Sequence, residues 1–324
     1  MTHPTRRGVL AAAAIIGTPI MSLPEAAAAP AAVTAVKVLS KTVKVNGLDI
    51  AYREAGPKDG PVVLLLHGFP SSSHMFRNLI PQLASTYRVI APDYPGFGDS
   101  SAPSLREFPY TFAALADIVD GFTDAVGAKS YVVFMQDYGG PIGFRLAIKH
   151  PDKVKALIIQ NAVANVEGWN PDVVKQFAPF WQKRNSETEA PVRAMLKPET
   201  TKFQYVHGST RAERLSPDAW THDQANLDRP GNAELQVEML FNYQDNVAQY
   251  PAWQEYLKQK QPKTLIVWGK NDPFFRLEGV EFFMAQLPKA EVHLYDAGHF
   301  ALETHLDEIA SASLDFLNRL PKGN

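Results

Sequence analysis

The sequence predicts an α/β protein with a doubly wound, mostly parallel sheet and an inserted helical domain. Continuous apolar runs of strand length recur along the chain, which is the pattern of parallel strands buried on both faces. Stretches with helical periodicity separate most of these runs, as expected when helices cover both faces of a sheet. Residues 163–261 interrupt the alternation, because they contain no run of this kind.

The composition excludes several classes of protein. The chain has 324 residues, enough for about two domains. Its 32 Lys and Arg against 34 Asp and Glu give a net charge of −2 without a basic stripe, so nucleic acid is not an expected partner. The absence of cysteine excludes a disulfide framework, a thiol nucleophile and cysteine-bound metals.

Residues 1–31 have the pattern of a secretory signal. Arg6 and Arg7 directly precede an apolar run, residues 8–23, that falls short of the ~20 residues needed to span a bilayer, and small residues follow it. The paired arginines indicate the twin-arginine route. We therefore expect a periplasmic or secreted protein without stable membrane insertion once the signal is removed. The alternative is an N-terminal anchor that is never cleaved.

The first element after the signal is a predicted β-hairpin. Val38–Asn46 and Leu48–Glu54 are two β-branched runs on either side of the Asn46-Gly47 pair, which favours a two-residue hairpin turn. The apolar runs then predict six further strands, at Pro61–Leu66, Arg88–Ala91, Tyr131–Phe134, Ala156–Ile159, Thr264–Trp268 and Glu291–Tyr295. Five stretches of helical period accompany them, at Met75–Ala84, Thr111–Val126, Gly140–Lys149, Glu278–Gln286 and Glu303–Leu317.

This pattern divides the mature chain into a sheet domain and an insertion. The sheet domain comprises residues 38–162 and 262–324. Residues 163–261 are long enough for a small helical domain between two strands of the sheet. Their many aromatic residues predict an apolar pocket between the two parts, at the carboxyl ends of the strands.

A strand–turn–helix sequence presents the first candidate for chemistry. Asp137 follows a predicted strand, and Gly139 and Gly140 follow Asp137 at positions where a Cβ atom would clash. This is the context of a nucleophile elbow, with aspartate at the position where serine is more common. We expect the dipole of the following helix to favour the carboxylate and to lower its pKa.

Two further candidates follow later strands. Asp272 and His299 each come just after a strand, and the chain order nucleophile, acid, histidine suits a catalytic triad. The backbone N–H groups of Phe69 and Tyr138 are positioned to converge as an oxyanion hole. The remaining histidines lack metal-ligand spacing, so no metal is expected.

Together these motifs resemble the α/β-hydrolase superfamily from about Val38 to the C-terminus. The motifs and residues on which this resemblance rests are His67-Gly68-Phe69-Pro70, the Gly/Pro turn of residues 93–100, the Gln136–Gly140 elbow, Asp272 and His299. Within that superfamily the chain resembles the branch of soluble epoxide hydrolases and haloalkane dehalogenases, which has an aspartate nucleophile. The resemblance implies an α/β-hydrolase fold with a helical cap and a structural role for His67. Asp93 and Asp99 are interpreted as turn formers.

An aspartate nucleophile restricts the substrate. A carboxylate that attacks an ester or amide forms an anhydride, which reverts readily, whereas attack on a saturated carbon forms a stable alkyl ester. Water activated by His299 then cleaves that ester, with Asp272 orienting the imidazole. The sequence therefore predicts a small apolar substrate with an epoxide or a carbon–halogen bond. Water and the triad suffice, so no cofactor is expected.

The leaving group separates the two branches. An epoxide oxygen needs a proton, which a tyrosine can donate, whereas a halide needs only weak donors. Tyr243 is similar to the second cap tyrosine of epoxide hydrolases; Trp181 and Tyr205 are the other candidates near the leaving group. Tyr138 and Pro141 stand where haloacetate dehalogenases have arginines, which argues against that substrate class. Epoxide hydrolase is the first hypothesis, dehalogenase the alternative, and a non-catalytic binding protein the competing class.

Overall fold

The computed structural model describes residues 36–321, together with residues 1, 2, 4 and 8. Most of the predicted signal therefore lies outside the described residues. Eight strands form one sheet in the order β1-β2-β4-β3-β5-β6-β7-β8. The strands are β1 (Leu39–Val45), β2 (Leu48–Ala55), β3 (Val62–Leu66), β4 (Arg88–Pro92), β5 (Tyr131–Gln136), β6 (Val154–Gln160), β7 (Thr264–Gly269) and β8 (Glu291–Tyr295).

The sheet confirms the predicted fold class. β1 and β2 form the antiparallel hairpin, and β2 pairs antiparallel with β4, while all other neighbours are parallel. Asn46 and Gly47 both have positive φ, 49° and 85°, as a type I′ turn requires. β8 differs from the prediction of a fully buried strand: it is the edge of the sheet, and its residues are partly exposed.

Helices cover both faces of the sheet. The α-helices outside the interval between β6 and β7 are α1 (Leu79–Leu83), α2 (Phe112–Ala125), α3 (Gly139–Lys149), α9 (Leu277–Gln286), α10 (Ala301–Thr304) and α11 (Leu306–Asn318). The predicted helix 75–84 is divided into a 3₁₀ turn and α1. Pro81 explains the division, because its missing N–H is tolerated only in the first turn of a helix, where α1 places it. The predicted helix 303–317 is likewise interrupted at His305.

Five helices and no named strand occupy the interval between β6 and β7. They are α4 (Pro171–Gln182), α5 (Ser186–Arg193), α6 (Pro198–Val206), α7 (Pro217–Leu227) and α8 (Asn232–Lys260). Large aromatic side chains from this segment, among them Phe177, Phe180 and Trp253, are buried in the same hydrophobic core as one face of the sheet. Among the described residues, no helix is both long and apolar enough to cross a membrane.

Candidate active site

Asp137 occupies a tight turn between β5 and α3. Its φ of 47° lies in the left-handed region, which a non-glycine residue rarely adopts and which marks strained functional turns. The turn depends on close backbone approach: a Cβ atom on Gly139 would lie 2.2 Å from the carbonyl oxygen of Leu66 on β3. The strand–turn–helix context read from the sequence is therefore present, and it presents the carboxylate at the carboxyl end of the sheet.

The Asp137 carboxylate is held by backbone N–H groups. Its Oδ1 accepts a hydrogen bond of 2.7 Å from the N–H of Phe69. Gly68 makes this contact possible, since a Cβ atom there would lie 2.3 Å from the Asp137 Cβ. The predicted meeting of the Phe69 amide with Asp137 is thus seen directly.

The pKa of Asp137 differs from the expectation. Burial raises the pKa of this carboxyl, against the opposing effects of the nearby His299 and of the N–H groups of Phe69 and Tyr138. The lowered pKa expected from the helix dipole is therefore wrong, because desolvation of a carboxylate covered by the helical segment outweighs the dipole. A carboxylate with little hydration is also a stronger nucleophile than one in water.

His299 joins the two acidic groups. Its Nδ1 lies 2.8 Å from Oδ2 of Asp272, and its Nε2 lies 3.9 Å from Oδ2 of Asp137. The second distance is too long for a hydrogen bond. Burial lowers the pKa of His299, but the charge of Asp272, their hydrogen bond and the charge of Asp137 outweigh it, so the pKa is raised.

Asp272 has no spare hydrogen-bonding capacity. Its Oδ1 accepts from the backbone N–H groups of Phe274 and Phe275 at 2.7 and 3.2 Å. Its Oδ2 accepts from Asn161 at 2.7 Å as well as from His299. These four bonds fix the carboxylate, and through it the orientation of the imidazole. Sequence analysis missed Asn161, whose only signal is its position just after β6.

His67 is buried beneath the site, as its predicted structural role requires. Its Nε2 accepts from the backbone N–H of Tyr94 at 3.4 Å, and its Nδ1 donates to the Gly68 carbonyl at 3.1 Å. The ring stacks on Tyr94 with 4.0 Å between centroids. Burial lowers the pKa of His67 to about 3, so the imidazole is neutral. Asp93 accepts backbone bonds from Ser73 and Asp99, consistent with a turn former.

A cavity of about 40 Å³ lies over Asp137 and His299. Most of its wall is apolar. Its other polar side chains are Tyr138, Tyr243 and Gln204, and the remaining lining residues are Phe69, Trp169, Val173, Phe177, Met195, Leu240, Phe274 and Phe275. A second cavity of about 470 Å³ shares Val173, Met195 and Phe274 with the first, so these three side chains separate the two.

The three predicted leaving-group residues have different locations. Tyr243 lines the cavity over Asp137, but Trp181 and Tyr205 do not. The indole of Trp181 donates to the carbonyl of Leu240 at 2.9 Å. The hydroxyl of Tyr205 donates to Asp223, and its ring stacks on Phe300 at 3.9 Å. Neither Trp181 nor Tyr205 therefore lines this cavity, and the polar group of each is hydrogen-bonded elsewhere in the protein.

Sequence analysis also missed three side chains in the cavity wall. Tyr138 was assigned through its backbone alone, yet its hydroxyl is buried without a partner among the described residues. Its adjacency to Asp137 could have indicated this position. Trp169 and Gln204 carry no sequence signal of their own. The indole of Trp169 donates to the hydroxyl of Tyr250 at 2.8 Å and is not free.

An elbow residue, an acid and a histidine that meet in this chain order at the carboxyl ends of the strands are the arrangement typical of α/β-hydrolases. The chain belongs to the α/β-hydrolase fold family, whose profile matches residues 61–306. It is 37% identical to an uncharacterised hydrolase of Saccharomyces cerevisiae over 268 residues, which are 82% of this chain and 92% of the yeast protein.

Two further comparisons extend this result. Haloalkane dehalogenase 2 of Mycobacterium tuberculosis is 29% identical over 275 residues, covering 79% of this chain and 87% of that protein. Among solved structures, the epoxide hydrolase CorEH superposes with a TM-score of 0.71 at 21% identity, over 87% of this chain and 99% of that one. At this identity the likeness to CorEH concerns the fold alone.

Proposed function

We propose that this hydrolase opens small epoxides through a covalent ester of Asp137. The observation that carries the proposal is the pair of contacts around the carboxylate: the Phe69 N–H at 2.7 Å on one oxygen and His299 Nε2 at 3.9 Å from the other. The first fixes the carboxylate for attack. The second distance places the imidazole close enough to activate a water molecule for attack on the ester. It is too long for a direct hydrogen bond that would neutralise the nucleophile.

The reaction balances in two steps. In the first, an oxygen of Asp137 attacks a ring carbon, the ring C–O bond breaks, and the ring oxygen takes a proton. In the second, His299 removes a proton from water, which adds to the carbonyl carbon of the ester; the oxyanion is stabilised by the N–H groups of Phe69 and Tyr138. Collapse of this intermediate releases the diol, whose second oxygen receives the proton from His299. The remaining proton of the water is then left on Asp137 and returns to the phenol that protonated the ring oxygen, which regenerates the carboxylate.

The donors around the cavity support an epoxide. An alkoxide is a strong base, so opening needs a proton donor near the ring oxygen. Tyr138 and Tyr243 both line the cavity, and burial raises the pKa of each hydroxyl well above its usual value, so both are protonated donors. The two nearby indoles already donate to protein oxygens, and the hydroxyl of Tyr243 is itself hydrogen-bonded to Tyr250, whereas that of Tyr138 has no partner among the described residues.

Haloalkane dehalogenation is the second candidate. It uses the same two steps with a halide as leaving group. The relation to the M. tuberculosis dehalogenase favours it, and an apolar cavity suits a haloalkane. The two candidates differ in the donors that they require: a halide needs weak donors in a dry pocket but no proton.

An oxygen-labelling experiment tests the proposal. The protein is incubated with a panel of small epoxides and haloalkanes in heavy-oxygen water, under single-turnover and multiple-turnover conditions. We expect diol in which the first turnover carries unlabelled oxygen from Asp137, and label in the peptide containing Asp137 after many turnovers. Direct appearance of label in the first-turnover product would refute the covalent route. Halide release without diol formation from any epoxide would favour the second candidate.

A further inference from the structure

One polar side chain in the cavity wall has no role in the proposed chemistry. Gln204 lies on α6, is only 2% exposed, and lines the same cavity as Asp137 and His299. Its Nε2 is buried and has no hydrogen-bond partner among the residues that the structure describes. Neighbouring polar groups on the same helix are satisfied: the hydroxyl of Thr201 donates to Gln224 at 2.7 Å, and that of Tyr205 donates to Asp223.

A buried amide donor without a partner is costly, because it loses its hydrogen bonds to water without compensation. Most of the cavity wall is apolar, and none of its side chains bonds this nitrogen. A donor without a protein partner in a binding cavity forms its hydrogen bond with the ligand that binds there.

The position of Gln204 indicates which part of a substrate it would meet. The proposed ring-opening donors, Tyr138 and Tyr243, lie at the elbow and on α8. Gln204 lies instead on α6, and Thr200 and Phe203 of the same helix line the second, outer cavity. Consider a substrate whose ring reaches Asp137 and whose chain extends toward the outer cavity. Gln204 then lies beside the chain and not beside the ring.

We propose that Gln204 is a specificity-determining residue whose amide donates a hydrogen bond to a neutral oxygen in the substrate chain, outside the reacting ring. The proposal rests on the proposed function. The preferred substrates are then oxygenated epoxides, such as glycidyl ethers and epoxides with a carbonyl group. A carboxylate does not fit, because the cavity lining contains no Lys or Arg and a second negative charge would be buried beside Asp137.

An isosteric pair of substrates isolates this hydrogen bond. (Methoxymethyl)oxirane and propyloxirane differ only by an oxygen in place of a methylene group. For the wild-type protein we expect kcat/KM for the ether to exceed that for the alkane by about tenfold, mainly through KM. Gln204→Met keeps the length of the side chain and removes the donor, so the ratio of the two kcat/KM values falls to about one.

A control variant and a second readout complete the test. Met195→Leu changes the apolar wall and should shift both substrates together, leaving their ratio unchanged. Because methionine removes an unpaired donor, the melting temperature of Gln204→Met should not fall; should it nevertheless fail to fold, Gln204→Leu replaces it. A wild-type ratio near one, or a ratio that survives both Gln204 variants, overturns the role of Gln204.

Failure of the proposed function gives a different result. If neither epoxide is turned over by any form of the protein, epoxide hydrolysis fails, and the role of Gln204 is then decided by binding alone. Methoxypropanediol and pentanediol, the two vicinal diols that correspond to the substrates, are titrated by calorimetry into wild type and Gln204→Met. Tighter binding of the ether diol that disappears in the variant supports the donor role; equal wild-type affinities overturn it.

Discussion

The side-chain amide of Gln136 lies against the catalytic face of His299, with 2.9 Å between the two Nε2 atoms. In this orientation the amide nitrogen donates to Nε2, while Nδ1 of the imidazole faces Asp272. The nitrogen that would receive a proton from water is therefore covered in this structure. Oε1 of the same amide is buried without a partner among the described residues.

Replacing Gln136 should shift the pH dependence of ester hydrolysis. The Gln136 donor stabilises neutral His299, so its removal in Gln136→Leu raises the pKa of the imidazole. We expect the acid limb of kcat to move upward by about half a unit to one unit. Gln160→Leu is the matched control, because this buried amide pairs with Gln136 in the sheet but makes no bond to His299. An unchanged or downward shift in Gln136→Leu would contradict this role.

The wild-type pH profile should itself have an acid limb above the ordinary histidine value. His299 acts as a base only when neutral, and its pKa is raised from 6.5, so hydrolysis increases as the pH rises through that higher value. The pKa values of Tyr138 and Tyr243 lie well above 10.0, so the donors stay protonated and no alkaline loss is expected below that pH. Steady-state rates between pH 5 and about 10 test both expectations, the acid limb and the absence of an alkaline one. An acid limb below 6.5 would argue against His299 as the base.

Removing the base should trap the intermediate. In His299→Ala the carboxylate of Asp137 can still attack, but no group activates water, so the alkyl ester accumulates. Intact mass spectrometry should then detect one added substrate, and peptide mapping should place it on Asp137. The double variant Asp137→Ala/His299→Ala should remain unmodified. A His299→Ala protein that stays unmodified with a substrate of the wild type would exclude the two-step route.

The two cavity phenols should act on epoxides more than on halides. Tyr243→Phe and Tyr138→Phe each remove a proton donor, and we expect each to slow epoxide opening by about a hundredfold or more while a bromoalkane of similar size is affected much less. Tyr205→Phe is the control: its hydroxyl donates to Asp223 outside the cavity, so the variant should lose stability but retain the opening rate. Single-turnover rates on both substrate types measure the difference. Equal losses of rate on the epoxide and on the bromoalkane would mean that the phenols serve only in packing.

His67 should make the protein sensitive to acid. Its folded pKa of about 3 lies below the unfolded value of 6.5, so the unfolded chain binds the proton and stability falls as the pH falls from 6.5 toward 3. One such proton contributes a slope of ~1.4 kcal/mol per pH unit. In His67→Gln, urea unfolding should show a free energy of unfolding that depends less steeply on pH, by about one proton. The same slope in both proteins would mean that His67 titrates normally.

Much of the fold follows from local sequence patterns. Strand and helix periodicities predicted the sheet, and the Asn46-Gly47 pair predicted the hairpin, because these signals act over a few neighbouring residues. The elbow could also be predicted, since its tight turn requires a glycine at position 139, two residues after Asp137. The ends of strands in a parallel sheet meet at one edge, which is why Asp272 and His299 could be expected near Asp137.

Only the tertiary structure decided which side chains of the helical segment face the cavity. Gln204 and Tyr205 are adjacent on α6, and consecutive residues of a helix point about 100° apart. The sequence alone favoured Tyr205, yet the packing of α6 turns Tyr205 toward Phe300 and Gln204 toward Asp137. The pKa of Asp137 has the same origin, because desolvation depends on everything that covers a carboxylate and not on the residues beside it in the chain.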